Sequence, residues 1–301
     1  MWTALLNELQ QGNMKSLARS ISLIENEVPG YEVFLQSLPV THTPVIGITG
    51  PPGAGKSTLT DSLIGLLVNK GKKVAVLCVD PSSPFNLGAL LGDRIRMSNW
   101  YNHPNVFIRS LATRGSLGGL HPKILEITDT CKAAGFDYVI VETVGVGQSE
   151  IEIAGLADVT TVVLVPEAGD EVQTMKAGLM EIADIFAVNK ADRPEADLFV
   201  RNLRLMLAPA FTTHEQEIHV VKTIATEQNG AAELLEKIEL LLQHQHSNER
   251  RSWLLAEKAY YLIQQQRMKD VQKKAMKLQI EEEMKKSDFN LYKFIHNYLL
   301  L

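Results

Sequence analysis

The chain has 301 residues, of which 45% are hydrophobic and 22% charged, so it can bury one large core or two smaller ones. Its net charge of −5 argues against nonspecific binding to nucleic acid. The N-terminus lacks the basic and apolar segments of a secretory signal, and no 18-residue apolar span occurs, so we expect a cytoplasmic protein with no membrane partner.

Residues 1–43 predict an N-terminal helical segment. Asn13 can cap a helix in which apolar side chains recur at Leu17, Ile21 and Ile24, and Pro29-Gly30 would end that part of the chain.

Residues 44–243 predict one α/β domain with a doubly wound, mostly parallel sheet. Short β-branched runs alternate there with helical patterns long enough for crossover connections. Most of these runs are continuously apolar, as expected for strands buried on both faces. The predicted strands are Val45–Thr49, Val74–Val79, Val106–Ile108, Tyr138–Val141, Val159–Val165, Ile185–Val188 and Ile218–Val221.

Residues 244–301 predict a C-terminal helical extension. Glu249–Lys286 contains neither Gly nor Pro and carries an apolar stripe, so we expect one long helix there. Such a helix needs a surface to cover its apolar side. It either folds back on its own chain or forms an arm that packs against a second copy, giving a homodimer.

A complete G-x-x-x-x-G-K-S sequence follows the first predicted strand and precedes a helical pattern, which is the context of a phosphate-binding loop. Backbone N–H groups of such a loop surround phosphate oxygens, and the following helix adds the positive end of its dipole. Lys56 would reach the β- and γ-phosphates and Ser57 a Mg²⁺ ion. The predicted nucleotide contacts are Gly50, Pro51, Pro52, Gly53, Ala54, Gly55, Lys56, Ser57 and Thr58.

The strand Ile185–Val188 runs into Asn189-Lys190-Ala191-Asp192, an N-K-x-D sequence that favours guanine. A carboxylate at Asp192 can accept from both the ring N1–H and the exocyclic amine of guanine, whereas adenine offers no amine there. Lys190 can cover the base, and Asn189 can brace the loop. The backbone of Thr223-Ile224-Ala225 would close around the base, which adds Ala225 to the predicted contacts. We therefore expect GTP and GDP as ligands.

Carboxylates follow two other predicted strands, as Mg²⁺ binding and water positioning require. Asp80 ends one strand and Glu142 another, and Asp93 follows in a polar loop; the alternative for Asp80 is a turn started by the proline after it. Glu142 begins an E-x-x-G sequence in which the Gly145 N–H would sense the γ-phosphate. The predicted catalytic residues are Lys56, Asp80, Asp93 and Glu142, and the predicted Mg²⁺ ligands are Ser57, Asp80, Asp93 and Glu142.

Val146 stands where Ras-like proteins carry the glutamine that orients attacking water, so we expect slow basal hydrolysis. Completion of the site would then depend on loop closure or a partner. Arg94, Arg96 and Arg114 are either charge stabilisers or ordinary loop or partner-contact arginines.

These motifs together resemble the methylmalonyl-CoA mutase-associated GTPases, the MeaB/ArgK family of SIMIBI-class G proteins, over nearly the whole chain. Glu142–Glu150 is the most specific element, and 169–176 resembles the family's third switch. The resemblance implies a homodimeric GTPase chaperone that gates cofactor loading and protects an adenosylcobalamin-dependent acyl-CoA mutase. Ile224 departs from the family pattern, in which serine often precedes the alanine matched by Ala225.

Several features separate this chain from other members of the class. Pro51 replaces the signature lysine of ATP-hydrolysing partitioning relatives, and the chain has neither metal-binding Cys or His stretches nor a D-x-H-x-x-G cobalamin signature. Two alternatives stay open at this point. One is a kinase that phosphorylates a transport protein, and the other is a GTP-sensing scaffold whose hydrolysis is incidental.

Overall fold

The computed structural model describes residues 1–80, 97–113, 120–143, 149–166, 180, 182–207, 218–244, 248–285 and 289–299. The chain forms two compact units, Met1–His246 and Ser247–Leu301. Across the described ranges, no helix has the length and apolar character needed to cross a bilayer. The three-part division predicted from the sequence, with boundaries after residues 43 and 243, stays a prediction.

A parallel sheet forms the centre of the first unit. Its neighbouring strands follow the order β3-β2-β4-β1-β5-β6-β7, and each pair runs parallel. This arrangement confirms the predicted doubly wound fold, although β3 extends beyond its predicted end at Ile108. The described strands are β1 (Val45–Thr49), β2 (Val74–Asp80), β3 (Val106–Ala112), β4 (Tyr138–Glu142), β5 (Val159–Leu164), β6 (Ile185–Val188) and β7 (His219–Lys222).

Helices cover both faces of this sheet. Because successive strand residues point to opposite faces, Val45 of β1 joins one apolar core and Ile46 the other. Within the described ranges of the first unit, the helices are α1 (Trp2–Gln10), α2 (Met14–Glu25), α3 (Tyr31–Gln36), α4 (Lys56–Asn69), α5 (Ile124–Ala133), α6 (Ser149–Leu156), α7 (Ala196–Leu207) and α8 (Ala231–His244).

The N-terminal helices belong to the core on the α5 side of the sheet. Asn13 caps α2 as predicted, because its side-chain oxygen accepts from the backbone N–H groups of Lys15 and Ser16 at 3.0 and 3.2 Å. Leu17, Ile21 and Ile24 are buried in the same cluster as residues of β2 and β4. Helix α4 lies on the other face together with α8, and it carries the first candidate site residues.

The second unit is helical, with α9 (Asn248–Arg267), α10 (Lys273–Glu283) and α11 (Leu291–Leu299) in its described part. The prediction of one uninterrupted helix over Glu249–Lys286 is wrong, because a turn separates α9 from α10. In that turn the Val271 N–H donates to the Met268 carbonyl at 3.0 Å, and Gln272 is extended, with φ −91° and ψ 118°. The absence of Gly and Pro permits a continuous helix but does not force one.

Candidate functional site

The glycine-rich loop connects the end of β1 to the start of α4, as the sequence predicts. Gly50 has φ 133°, and a Cβ atom on it would lie 2.1 Å from the Val163 carbonyl oxygen of β5. Gly55 has φ 92°, and its Cβ would lie 2.3 Å from Asn189 Nδ2. Both positions therefore need glycine for backbone conformation and for space. The loop is held against β5 on one side and the Asn189 loop on the other.

Lys56 opens α4 and is buried, and its side chain turns back over the loop. Its Nζ donates to the carbonyl oxygens of Gly50 at 2.9 Å and Pro51 at 3.1 Å. These bonds hold the ammonium group within the curve of the loop, where the helix N-terminus also concentrates positive potential. The arrangement can bind an anion with several phosphate oxygens.

Glu142 meets α4 at the carboxyl end of the sheet. It ends β4 directly beside Ile48 of β1, and its side chain is buried. Ser57 Oγ donates to Glu142 Oε1 at 2.6 Å, and Thr60 Oγ1 lies 2.9 Å from Glu142 Oε2. The structure thus brings together Ser57 and Glu142, two of the predicted Mg²⁺ ligands.

Asp80 lies at the same edge of the sheet. It ends β2, the neighbour of β4, and is buried. Cys78 pairs in register with Glu142, so Asp80 is two residues further toward the carboxyl edge. The Asp80 carbonyl accepts from the Thr113 N–H at 3.1 Å, which extends the β2 and β3 pairing by one bond.

The oxygen groups at this edge suit Mg²⁺. This ion takes one or two carboxylates together with waters and substrate phosphates, rather than a full protein cage. A hydroxyl that donates its hydrogen, as Ser57 does to Glu142, still offers oxygen lone pairs to a cation. Among the described residues there is no cluster of three or more His, Cys, Asp or Glu side chains able to hold a metal.

Asn189 joins three loops at the end of β6, and it is 2% exposed. Its Nδ2 donates to the Ala54 carbonyl of the phosphate loop at 2.8 Å. Its Oδ1 accepts from the Thr223 hydroxyl at 3.2 Å and from the Ala225 N–H at 3.1 Å. The side chain therefore ties the phosphate loop to both segments predicted to surround the base.

Two further residues of the N-K-x-D sequence contact neighbouring loops: Lys190 contacts the phosphate loop, and Ala191 contacts the segment that follows β7. Lys190 has φ 57° and its Nζ donates to the Gly53 carbonyl at 2.8 Å, while the Ala191 N–H donates to the Thr223 carbonyl at 3.1 Å. Asp192 is exposed to solvent, where it is accessible to a ligand. The Ala225 carbonyl accepts from Ser62 of α4 at 3.0 Å.

Some predicted residues lie outside the described residues. They include Asp93 and Gly145 of the site, Val146 at the water-orienting position, and the third-switch-like segment 169–176. The three candidate arginines Arg94, Arg96 and Arg114 fall there as well. Their predicted roles stay predictions.

Sequence reasoning missed two side chains that support this region, Thr60 and Ser62. Both lie on α4 and both are buried, with hydroxyls reaching Glu142 and the Ala225 carbonyl respectively. Helical spacing gives a partial signal, because Thr60 follows Ser57 by three residues and shares its face. The spacing does not indicate that these two hydroxyls contact Glu142 and the Ala225 carbonyl, which belong to distant parts of the chain.

A phosphate loop after β1 and an N-K-x-D loop after β6, joined through Asn189 on a doubly wound parallel sheet, define the chain as a P-loop GTPase that binds guanine nucleotides. The family model of the methylmalonyl Co-A mutase-associated GTPase MeaB matches residues 17–280. The chain belongs to this family, which confirms the resemblance seen in its motifs.

Individual relatives agree with this assignment. A Pyrococcus abyssi protein named as a GTPase is 44% identical over 290 residues, covering 95% of this chain and 88% of its own. The GTPase ArgK of Escherichia coli is 42% identical over 193 residues, covering 62% of this chain and 58% of its own. A crystal structure titled LAO/AO transport system kinase matches with a TM-score of 0.70 and 26% identity, covering 98% of this chain and 95% of that one.

Proposed function

We propose that this GTPase is a chaperone for an adenosylcobalamin-dependent acyl-CoA mutase, with methylmalonyl-CoA mutase as the first candidate. In this role it gates the loading of the cofactor and protects the mutase from inactivation. The observation that carries the proposal is the match of residues 17–280 to a family described as mutase-associated. The nucleotide state of the chaperone would change its affinity for the mutase through reciprocal coupling. We place this activity in the cytoplasm.

The proposed nucleotide site uses the contacts around the phosphate loop. Lys56, held over the loop by Gly50 and Pro51, would exchange these carbonyls for the β- and γ-phosphates of GTP. Asp192, exposed beside Lys190, would accept from the guanine edge. Asn189 would keep both loops in register while the base enters.

The proposed Mg²⁺ site lies where β2 and β4 end beside α4. Ser57 would bind the ion through its hydroxyl oxygen, while Glu142 and Asp80 orient the waters around it. When bound, Mg²⁺ neutralises charge on the β- and γ-phosphate oxygens during phosphoryl transfer. Asp93 and Gly145, both outside the described residues, complete the site in this proposal.

The second unit supports a proposed homodimer. Three large apolar side chains of α9, Leu255, Tyr260 and Ile263, are each more than half exposed. Met268 and Met284 are exposed to a similar degree in the turn and at the end of α10. An interface between two copies of the chain would cover these exposed apolar side chains, which is why we place the proposed dimer contact in this unit.

The test is GTP turnover with and without a purified adenosylcobalamin-dependent mutase, together with cofactor transfer to that mutase. We expect the mutase to change the turnover rate, and GTP to change the rate of cofactor loading. A Lys56→Ala variant is the control, because it retains the second unit but lacks the ammonium group over the loop. Unchanged turnover and unchanged loading with methylmalonyl-CoA mutase and with related acyl-CoA mutases would refute the chaperone role.

A second candidate function is a kinase, because the matching crystal structure is titled LAO/AO transport system kinase. The kinase would transfer the γ-phosphate to an acceptor instead of water. Incubation with γ-labelled GTP and a transport-system binding protein separates the two. Label on the acceptor would favour the kinase, whereas label released only as free phosphate would favour the GTPase chaperone.

A further inference from the structure

Thr60 of α4 contacts the site from a position that belongs to none of the nucleotide-binding motifs. It is fully buried, and its Oγ1 lies 2.9 Å from Glu142 Oε2 and 2.9 Å from the Lys56 carbonyl oxygen. A hydroxyl carries a single hydrogen, so Thr60 can donate fully to only one of these acceptors at a time. The ionised carboxylate is the stronger acceptor of the two.

Two hydroxyls of α4 hold the two oxygens of Glu142. Ser57 donates to Oε1 at 2.6 Å, and Thr60 contacts Oε2 from one turn further along the same helix. One hydroxyl alone would let the carboxylate rotate about that bond. Two donors at fixed spacing set its plane, and groups held in this way keep a site close to its working geometry.

We propose that Thr60 is a positioning residue of the magnesium site and acts through Glu142. By holding Oε2, it keeps Oε1 on the Ser57 hydroxyl and directs the lone pairs of Ser57 toward the cation. This inference rests on the proposed Mg²⁺-dependent binding of nucleotide, but it does not depend on any mutase.

The experiment measures how the affinity for a fluorescent GDP analogue depends on Mg²⁺ concentration. Thr60→Val keeps the volume and removes the hydroxyl. We expect the Mg²⁺ concentration for half-maximal tightening to rise about tenfold, the lower end of the effect of losing an outer-shell partner. Affinity in EDTA should stay within about twofold of the wild type, and Thr60→Ser should restore the Mg²⁺ response.

Thr130→Val is the matched control. Thr130 is also fully buried in a helix and donates to the carbonyl four residues earlier, at 2.7 Å from Glu126 O, but it lies on α5 on the other face of the sheet. Its Mg²⁺ response should equal that of the wild type. In a Glu142→Ala background, Thr60→Val should have no further effect on the Mg²⁺ response, because its partner is gone.

Several outcomes would overturn the role of Thr60. One is a Mg²⁺ concentration for half-maximal tightening that stays within twofold of the wild-type value in Thr60→Val. Another is a loss of affinity for the GDP analogue that is as large in EDTA as in Mg²⁺. The third is a full effect of Thr60→Val in the Glu142→Ala background. If thermal melting shows that Thr60→Val is not folded, Thr60→Ala replaces it in the same titrations. If the affinity of the wild-type protein for the GDP analogue does not depend on Mg²⁺, the proposed magnesium site is refuted, and the role of Thr60 with it.

Discussion

Asn189→Ala is the sharpest test of how the two nucleotide loops are held together. The substitution removes three hydrogen bonds, to the Ala54 carbonyl, the Thr223 hydroxyl and the Ala225 N–H. All three partners are buried, so water cannot easily replace the lost side chain. Each such bond contributes about 1 kcal/mol net. We therefore expect the free energy of unfolding to fall by about 3 kcal/mol.

The assay is urea unfolding of the nucleotide-free protein followed by circular dichroism, with affinity for the GDP analogue measured in parallel. Asn26→Ala is the matched control, because Asn26 Nδ2 donates to the Ser22 carbonyl at 2.7 Å from an exposed position. Asn26→Ala should lower the free energy of unfolding by less than about 0.5 kcal/mol, as most surface substitutions do.

Asn189→Asp separates the donor from the acceptor. It keeps an oxygen for Thr223 and Ala225 but places a carboxylate oxygen against the Ala54 carbonyl in place of Nδ2. Both Asn189 variants should then bind the GDP analogue more weakly, because the phosphate loop loses its tie to the base loops. A loss of stability below about 1 kcal/mol for Asn189→Ala would refute the reasoning, since the three bonds together would then contribute less than one ordinary hydrogen bond.

Three further predictions concern the base, the N-terminal helices and the second unit. Asp192→Asn should weaken GTP binding by about 10- to 100-fold and favour XTP, because xanthine presents a carbonyl where guanine has its amine. Affinities for GTP and for XTP that are both unchanged by the substitution would contradict the base contact. Lys123→Met should lower the free energy of unfolding by about 1 to 2 kcal/mol, because Lys123 Nζ contacts Glu27 at 3.0 Å and Glu126 at 3.5 Å. Burial opposes the charge of Lys123, but the hydrogen bond to Glu27, the charge of Glu126 and the hydrogen bond to Tyr31 outweigh it and raise the Lys123 pKa. A raised pKa means that the stabilisation is complete below the unfolded-state pKa of about 10.4 and is lost as the pH rises through the folded-state pKa. The deficit of Lys123→Met in urea unfolding should thus be the same at pH 7 and pH 9 and smaller at pH 11, and a deficit that changes between pH 7 and pH 9 would contradict this assignment. Replacing Tyr260 and Ile263 of α9 together by Glu should convert a dimer into a monomer in sedimentation equilibrium with GTP turnover per chain retained, whereas an unchanged mass would place the dimer contact elsewhere.

The sheet could be predicted from the chain because the relevant signals are local. A strand buried on both faces is continuously apolar over a few residues, and β1, β2 and β5 are buried throughout. The cap at Asn13 is likewise local, since its partners are two and three residues away. The break between α9 and α10 could not be predicted in this way, because no Gly or Pro marks it.

The amino-acid sequence by itself determined the class of protein, because G-x-x-x-x-G-K-S and N-K-x-D each place their chemistry within a few consecutive residues. Only the tertiary structure decided which distant side chains support them. Thr60 contacts Glu142 across 82 positions of the chain, and Asn189 contacts Ala54 across 135. The physical reason is the order of the parallel strands, which brings the ends of β1, β4 and β6 to one edge although long crossovers separate them in the chain.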